Sequence, residues 1–315
     1  MRSAPVHWII GHGGLLGQSI ARRLGTRAFN SIKIDWRQDD TPDVLRAECE
    51  RFLGTTRAES GWAVLWCAGA GIIGTEQAAL DRETELLSVL LDTLGDGRGV
   101  LFLSSSAGGV YGGSRDLPIT EFTEPQPISP YGYNKLVQES LVGSWAQRTG
   151  NRVVVGRFTN LYGPGQNPDK PQGLITQICL STIYRRPVSL YVSSDTLRDY
   201  VFVDDASIKT LDVVRRAFDE LPAGACSTKI IGSGSSVSIG SLLGEARRVL
   251  GCRTTVILAT SSLSNQQART LAFKSVVWPE IDALASTPIP VGIDRTARAL
   301  RASFAAGSPG LLVGS

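Results

Sequence analysis

Tyr131 and Lys135 stand four residues apart in PYGYNK, where a stretch of helical periodicity begins. That spacing puts both side chains on one face of a helix. A lysine ammonium beside a phenol favours the phenolate, drawing an acid with a pKa near ~10 toward neutrality. A phenolate so placed takes a proton from a substrate hydroxyl while hydride leaves the same carbon for a nicotinamide. The pair alone could equally be a solvated helix face. Two further features add to it: hydroxyls at Ser104, Ser105 and Ser106 close a strand-like run, and Gly11, Gly14 and Gly17 are spaced GxxGxxG near the start of the chain.

The glycines fall between a strand-like run and a helical pattern, where the backbone must turn tightly and can approach a pyrophosphate at a helix N-terminus. The GxxGxxG spacing differs from GxGxxG, and neither is specific alone. Asp35, 18 residues after Gly17, ends a second strand-like run. A carboxylate there is equally a solvated strand-end acid or one that meets adenosine ribose hydroxyls; in the second case it repels a 2′-phosphate, which favours NAD. Arg37, two residues on, leaves NADP open. His7 and His12 show no partner and read as structural.

Elements must bring these residues together. The first 165 residues alternate apolar runs (Val6–Ile10, Ser31–Asp35, Ala63–Cys67, Val100–Ser104, Arg152–Arg157) with helical patterns (Leu15–Leu24, Val44–Leu53, Glu76–Leu94, Tyr131–Arg148). Unbroken apolar runs such as VLFL suit strands covered on both faces. Strand–helix alternation then gives a doubly wound α/β domain. After Gly163 a Gly/Pro-rich loop leads to a helix at Leu174–Tyr184 and to shorter strands. The expected division is a nucleotide domain of residues 1–165 plus about 200–232, and a smaller lobe of about 166–199 plus 233–315. The runs Tyr200–Val203 and Lys229–Ile231 should return to the first domain, and the last residues, AAGSPGLLVGS, read as a loosely held tail.

The bulk properties exclude other classes. A formal charge of +3 on 315 residues is too small to imply nucleic-acid binding. No apolar run approaches the ~20 residues that span a bilayer, and the N-terminal stretch lacks the apolar core of a signal peptide. Five scattered cysteines without a CxxC argue for reduced thiols in the cytoplasm and against a structural metal site.

The chain resembles the extended short-chain dehydrogenase/reductases, in particular the nucleotide-sugar epimerase/dehydratase family typified by UDP-glucose 4-epimerase. The resemblance rests on GHGGLLG (11–17), LFLSSSAGGVYG (101–112), PISPYGYNK (127–135), GRFTNLYGPGQ (156–166) and LRDYVFVDDAS (197–207). It implies a Rossmann-type doubly wound parallel sheet with a smaller mixed α/β substrate lobe. It also implies Tyr131 as base, Lys135 as a cofactor-ribose ligand and Ser106, or next Ser105, as the substrate-hydroxyl ligand. Cofactor contacts are implied at Gly11, Gly14, Leu15, Leu16, Gly17, Asp35, Ala68, Gly69, Ser104, Tyr131, Lys135 and Phe158. Asn160 and Arg198 are implied to meet the diphosphate of a nucleotide-diphosphate sugar, and a guanidinium suits that task because it grips phosphate through two parallel hydrogen bonds. A homodimer through the helices at Glu76–Leu94 and Tyr131–Arg148 is implied by resemblance only.

Details of the motifs narrow the reaction. Family 4,6-dehydratases carry an Asp-Glu pair where this chain has Ala107 and Gly108, and the decarboxylases use a glutamate near there. Oxidation and reduction at a carbinol remain: a 4-epimerase, or a ketosugar reductase using NAD(P)H, with a non-catalytic dinucleotide sensor as a further alternative. Three departures stand out. SSSAGGVYG holds one residue more than the family pattern, the strand carrying an adenine-contacting Asp has no counterpart, and the second diphosphate arginine has only Arg269, Lys274, Arg295 and Arg298 as candidates.

Overall fold

The computed structural model describes residues 5–56, 61–69, 71, 74–169, 173–252, 255–258 and 270–306. Its first half runs β1 (Val6–Ile10), α1 (Leu15–Leu24), α2 (Thr41–Thr55), β2 (Trp62–Trp66), α3 (Gln77–Leu94), β3 (Val100–Ser106), the single-turn α4 (Ala107–Val110), α5 (Pro130–Thr149) and β4 (Arg152–Phe158). The second half runs β5 (Asn160–Tyr162), α6 (Leu174–Tyr184), β6 (Val188–Leu190), β7 (Leu197–Phe202), α7 (Val203–Glu220), β8 (Cys226–Ile231), β9 (Ser236–Ser238), α8 (Ile239–Leu250), β10 (Val256–Leu258) and α9 (Ile289–Ala305).

The main sheet has the order β1-β2-β3-β4-β8 and every neighbouring pair is parallel. Side chains alternate between its faces. Trp8, Ile10, Val64, Trp66, Leu101 and Leu103 pack with α2, α3 and α5 on one side. Ile9, Ala63, Leu65, Phe102 and Val154 pack with α1 and α7 on the other. This is the expected Rossmann-type doubly wound α/β sheet, covered by helices on both faces. A third core gathers α6, α8 and α9 around Tyr162, Tyr200 and Phe202.

Two expectations differ from the structure. The run Ser31–Asp35 is not a strand; beyond β1 only an isolated bridge joins His7 to Ala28. The reason is local: the Glu48 carboxylate of α2 accepts from Ile32 N at 3.2 Å and from Ser31 Oγ at 3.1 Å, so that backbone donor goes to a side chain and not to a ladder. Ile34 still packs into the core, so the segment follows a strand's path without its pairing. Lys229–Ile231 joins the main sheet as expected, but Tyr200–Phe202 lies in a separate three-stranded sheet, β5-β7-β9. The helix after it, α7, is what packs back on α1 and the main sheet. All of the C-terminal tail but Ala305 and Ala306 falls outside the described residues.

Candidate active site

The glycine loop follows β1 at the carboxyl edge of the sheet. Gly11 has φ +90°, which a side chain rarely adopts, and a Cβ there would lie 2.5 Å from Ala68 N. A Cβ on Gly17 would lie 2.3 Å from Gly11 O, so α1 can approach the loop only because Gly17 lacks one. Gly14 caps α1 without a side-chain hydrogen bond, and its first turn, with Leu15 and Leu16, carries no acid. Uncapped N–H groups and no competing carboxylate are what an anionic pyrophosphate requires. Nothing lies within 4 Å of a Cβ built on Gly13, so the loop has open space beside it. Asp35 is exposed; hydrogen bonds from the Gln38 side chain and Arg37 N hold its carboxyl below the usual range. The residues present therefore fit a dinucleotide.

The edge continues through Ala68 and Gly69 after β2, Ser104 to Ser106 ending β3, and Phe158 ending β4, where the register pairs Ser106 with Phe158. Ser129 caps α5 by accepting from Gly132 N, and Pro130 fills the first helical position. This start delivers Tyr131 to the site. Its ring sits in a slot between two glycines: a Cβ on Gly109 would lie 3.0 Å from Cε1, and one on Gly71 would lie 3.3 Å from Cδ2. Lys135 Nζ is 5.7 Å from the centroid of that ring.

Lys135 is buried and does not face Tyr131 alone. Its ammonium donates to Glu83 Oε1 of α3 at 2.7 Å and to Gln138 Oε1 at 3.0 Å. Burial alone would depress the lysine, but Glu83, with Tyr131 and Glu139, outweighs it and holds the ammonium above its ordinary value.

The serines divide by strand alternation. Ser105 is buried and donates to Glu139 Oε1 at 2.5 Å. Glu139 is also held by Arg157 through two hydrogen bonds, and Arg157 reaches the Tyr111 hydroxyl. Ser105 is thus committed to a buried cluster. Ser106 is half-buried on the Tyr131 side, within 3.3 Å of the Cβ position on Gly109, and its Oγ caps α4 by accepting from Gly109 N at 3.1 Å. Asn160 is exposed at the start of β5 and donates to the Asp199 carbonyl at 2.8 Å. Arg198, on β7, donates to the Leu197 carbonyl at 2.9 Å, and burial lowers its pKa. Arg295 lies over the Phe202 ring, Arg298 pairs with Asp294, and Arg269 lies outside the described residues.

A family model described as the NAD dependent epimerase/dehydratase family matches residues 8–219. The chain belongs to that family. A dTDP-L-rhamnose 4-epimerase of Burkholderia thailandensis is 31% identical over 118 residues, which are 37% of this chain and 31% of that protein. The matched region spans between 31% and 48% of the length of such curated relatives. Among solved structures, the Thermotoga maritima UDP-glucose 4-epimerase with UDP-glucose superposes with a TM-score of 0.76 at 19% identity, over 95% of this chain and 99% of that one. The Thermus thermophilus UDP-glucose 4-epimerase complexed with NAD gives 0.75 at 18% identity, over 94% and 98%. The fold of this family member is that of those enzymes.

Four residues hydrogen-bonded around Lys135 and Ser105 were not visible from sequence: Glu83, Gln138, Glu139 and Arg157. Gln138 and Glu139 follow Lys135 by three and four residues, so helical spacing could have flagged them. Glu83 lies 52 residues upstream on a helix whose other acids are exposed, and nothing local marks it. Among the described residues no cluster of His, Cys, Asp and Glu could hold a metal, and no helix is long and apolar enough to cross a membrane. All five cysteines are free.

Proposed function

We propose that the protein epimerises a nucleotide-diphosphate sugar at C4 through a transient 4-keto intermediate, using NAD, with Tyr131 as the base. The observation that carries this reading is the Tyr131 slot: a phenol fixed at the carboxyl edge between Gly71 and Gly109, beside Ser106 and one helical turn from a buried ammonium. The glycine loop, Ala68, Gly69, Lys135 and Phe158 would hold the cofactor, and Asp35 favours NAD over NADP. Bound NAD supplies a reversible acceptor for hydride. Tyr131 takes the proton of the C4 hydroxyl as that carbon gives up its hydrogen, and Ser106 steadies the oxygen. In the return step the phenol would give the proton back to the C4 oxygen, so the sugar is neither oxidised nor reduced overall. Arg198 and Asn160 would receive the diphosphate. Ala107 and Gly108 offer no acid for eliminating water, which supports epimerisation over dehydration.

Residues 1–165 with α7 and β8 would form the cofactor domain, and the remainder the sugar-nucleotide lobe. A homodimer through α3 and α5 is supported by Tyr133 and Val137, which are 60% and 55% exposed one turn apart on α5. Free thiols suit a cytoplasmic setting. The test is a panel of UDP-, GDP-, dTDP- and CDP-sugars scored for epimer formation by NMR with no cofactor added. Turnover should occur on NAD that copurifies with the protein, and Tyr131→Phe should lower it by about 10²–10⁴-fold while NAD stays bound. Stoichiometric consumption of NADPH would instead identify a ketosugar reductase.

A further inference from the structure

Behind the lysine stands a carboxylate with no part in the proton transfer, Glu83. We propose that Glu83 is a positioning residue for the Tyr131–Lys135 pair: it fixes the ammonium and, as its counter-ion, sets how strongly that charge acts on the phenol.

Glu83 and Lys135 are both largely buried, with side-chain exposures of 10% and 5%, and their ion pair is 2.7 Å long. A small network keeps the carboxylate there. Gln138 Nε2 donates to Glu83 Oε1 at 3.0 Å and to Thr84 Oγ1 at 3.3 Å, while Gln138 Oε1 accepts from Lys135. Thr84 Oγ1 in turn donates to Asn134 Oδ1 at 2.9 Å, which links α3 to the turn of α5 that carries Tyr131. Space for the carboxylate comes from Gly69, where a Cβ would lie 3.0 Å from Glu83 Oε1. One carboxylate thus bonds Lys135 and Gln138 in space that a side chain at Gly69 would take.

The electrostatic consequence follows from distance. A lone ammonium acts on the ring 5.7 Å away as a monopole. With an anion 2.7 Å from it, the pair acts as a dipole whose potential falls more steeply. The charges facing Lys135 are Glu83 from α3 and Tyr131 and Glu139 from α5, and Glu139 is itself paired with Arg157 of β4. Among the carboxylates facing Lys135, Glu83 is therefore the one in direct contact with the ammonium, and its removal leaves that charge uncompensated.

This inference rests on Tyr131 being the reactive phenol, but its test does not depend on turnover. The Tyr131 phenol is titrated by ultraviolet difference absorption, each variant being measured against the same variant carrying Tyr131→Phe. In Glu83→Gln the midpoint should fall by about one pH unit, because a negative charge leaves while the lysine stays. In the double variant Glu83→Gln/Gln138→Glu the carboxylate moves to the lysine's other contact, and the midpoint should return to within half a unit of the parent. An unmoved midpoint in the single variant overturns the proposal, as does a double variant that stays shifted. If the single variant does not fold, the double variant, which retains an ion pair, decides alone. Should Tyr131→Phe retain turnover, the base assignment fails while the titration still reads the role of Glu83.

Discussion

Tyr131 owes its position to two residues without side chains. Neither Gly71 nor Gly109 has a positive φ, so alanine is sterically allowed on its own backbone at both. What alanine would disturb is the ring: at Gly109 the new methyl carbon would lie 3.0 Å from Cε1. Gly109→Ala should therefore lower turnover by about 10–100-fold through misplacement of the phenol, with little change in the urea midpoint. An unchanged rate would show that the slot has slack. Arg198→Ala tests the other end of the proposed substrate and should weaken sugar-nucleotide affinity by about 1–3 kcal/mol, read by calorimetry. The residues legible in the sequence were those whose spacing is set within one element, such as Tyr131 with Lys135. Glu83 was not, because its partner arrives through tertiary packing and an acid on a long helix looks the same whether or not it meets a buried lysine.

At the scale of elements, SSSAGGVYG takes the chain from β3 to the base of the site. The segment forms the single turn α4, capped by Ser106, before Tyr111 enters the core. Behind that turn, Glu139 of α5 binds Ser105 of β3 and Arg157 of β4, so one carboxylate ties a helix to two adjacent strands. Glu139→Ala leaves Arg157 buried without its counter-ion and should cost about 3–5 kcal/mol in urea unfolding. A loss below 1 kcal/mol would mean that water replaces the carboxylate. The main strands were legible because their runs are apolar on both faces. Ser31–Asp35 misled for a specific reason: its pattern is strand-like, but the Glu48 carboxylate takes an amide that pairing would have used. A carboxylate reaching across from a helix 16 residues away leaves no mark on local periodicity.

At the scale of the whole molecule, acid should weaken the fold at an identifiable point. Burial, with Arg27 nearby, pushes the His7 pKa down from 6.5 to about 4. Between those values the unfolded chain takes up a proton that the folded one refuses, so stability present above pH 6.5 is lost as the pH falls toward 4. The loss is on the order of 2–3 kcal/mol, and His7→Gln should flatten the difference between urea midpoints at pH 7.5 and 4.5. The change of texture after Gly163 falls close to where the main sheet gives way to the third core, but the three-residue strand β5 and the buried acid at that junction left no mark in the sequence.

That junction has a mechanical consequence. The β5-β7-β9 sheet takes one strand from the exit of β4 and another from the entry to α7, and pairs them through Asn160–Tyr200, Leu161–Val201 and Tyr162–Phe202. Asp199, fully buried between them, accepts hydrogen bonds from Thr159 Oγ1, Ser233 N and Gly234 N, three points on two separate chain crossings. A swinging motion of the third core against the main sheet would have to break that ladder and strand a carboxylate in the interior. The joint is accordingly welded, and differential scanning calorimetry should record one endotherm, the main sheet and the third core melting as a single unit.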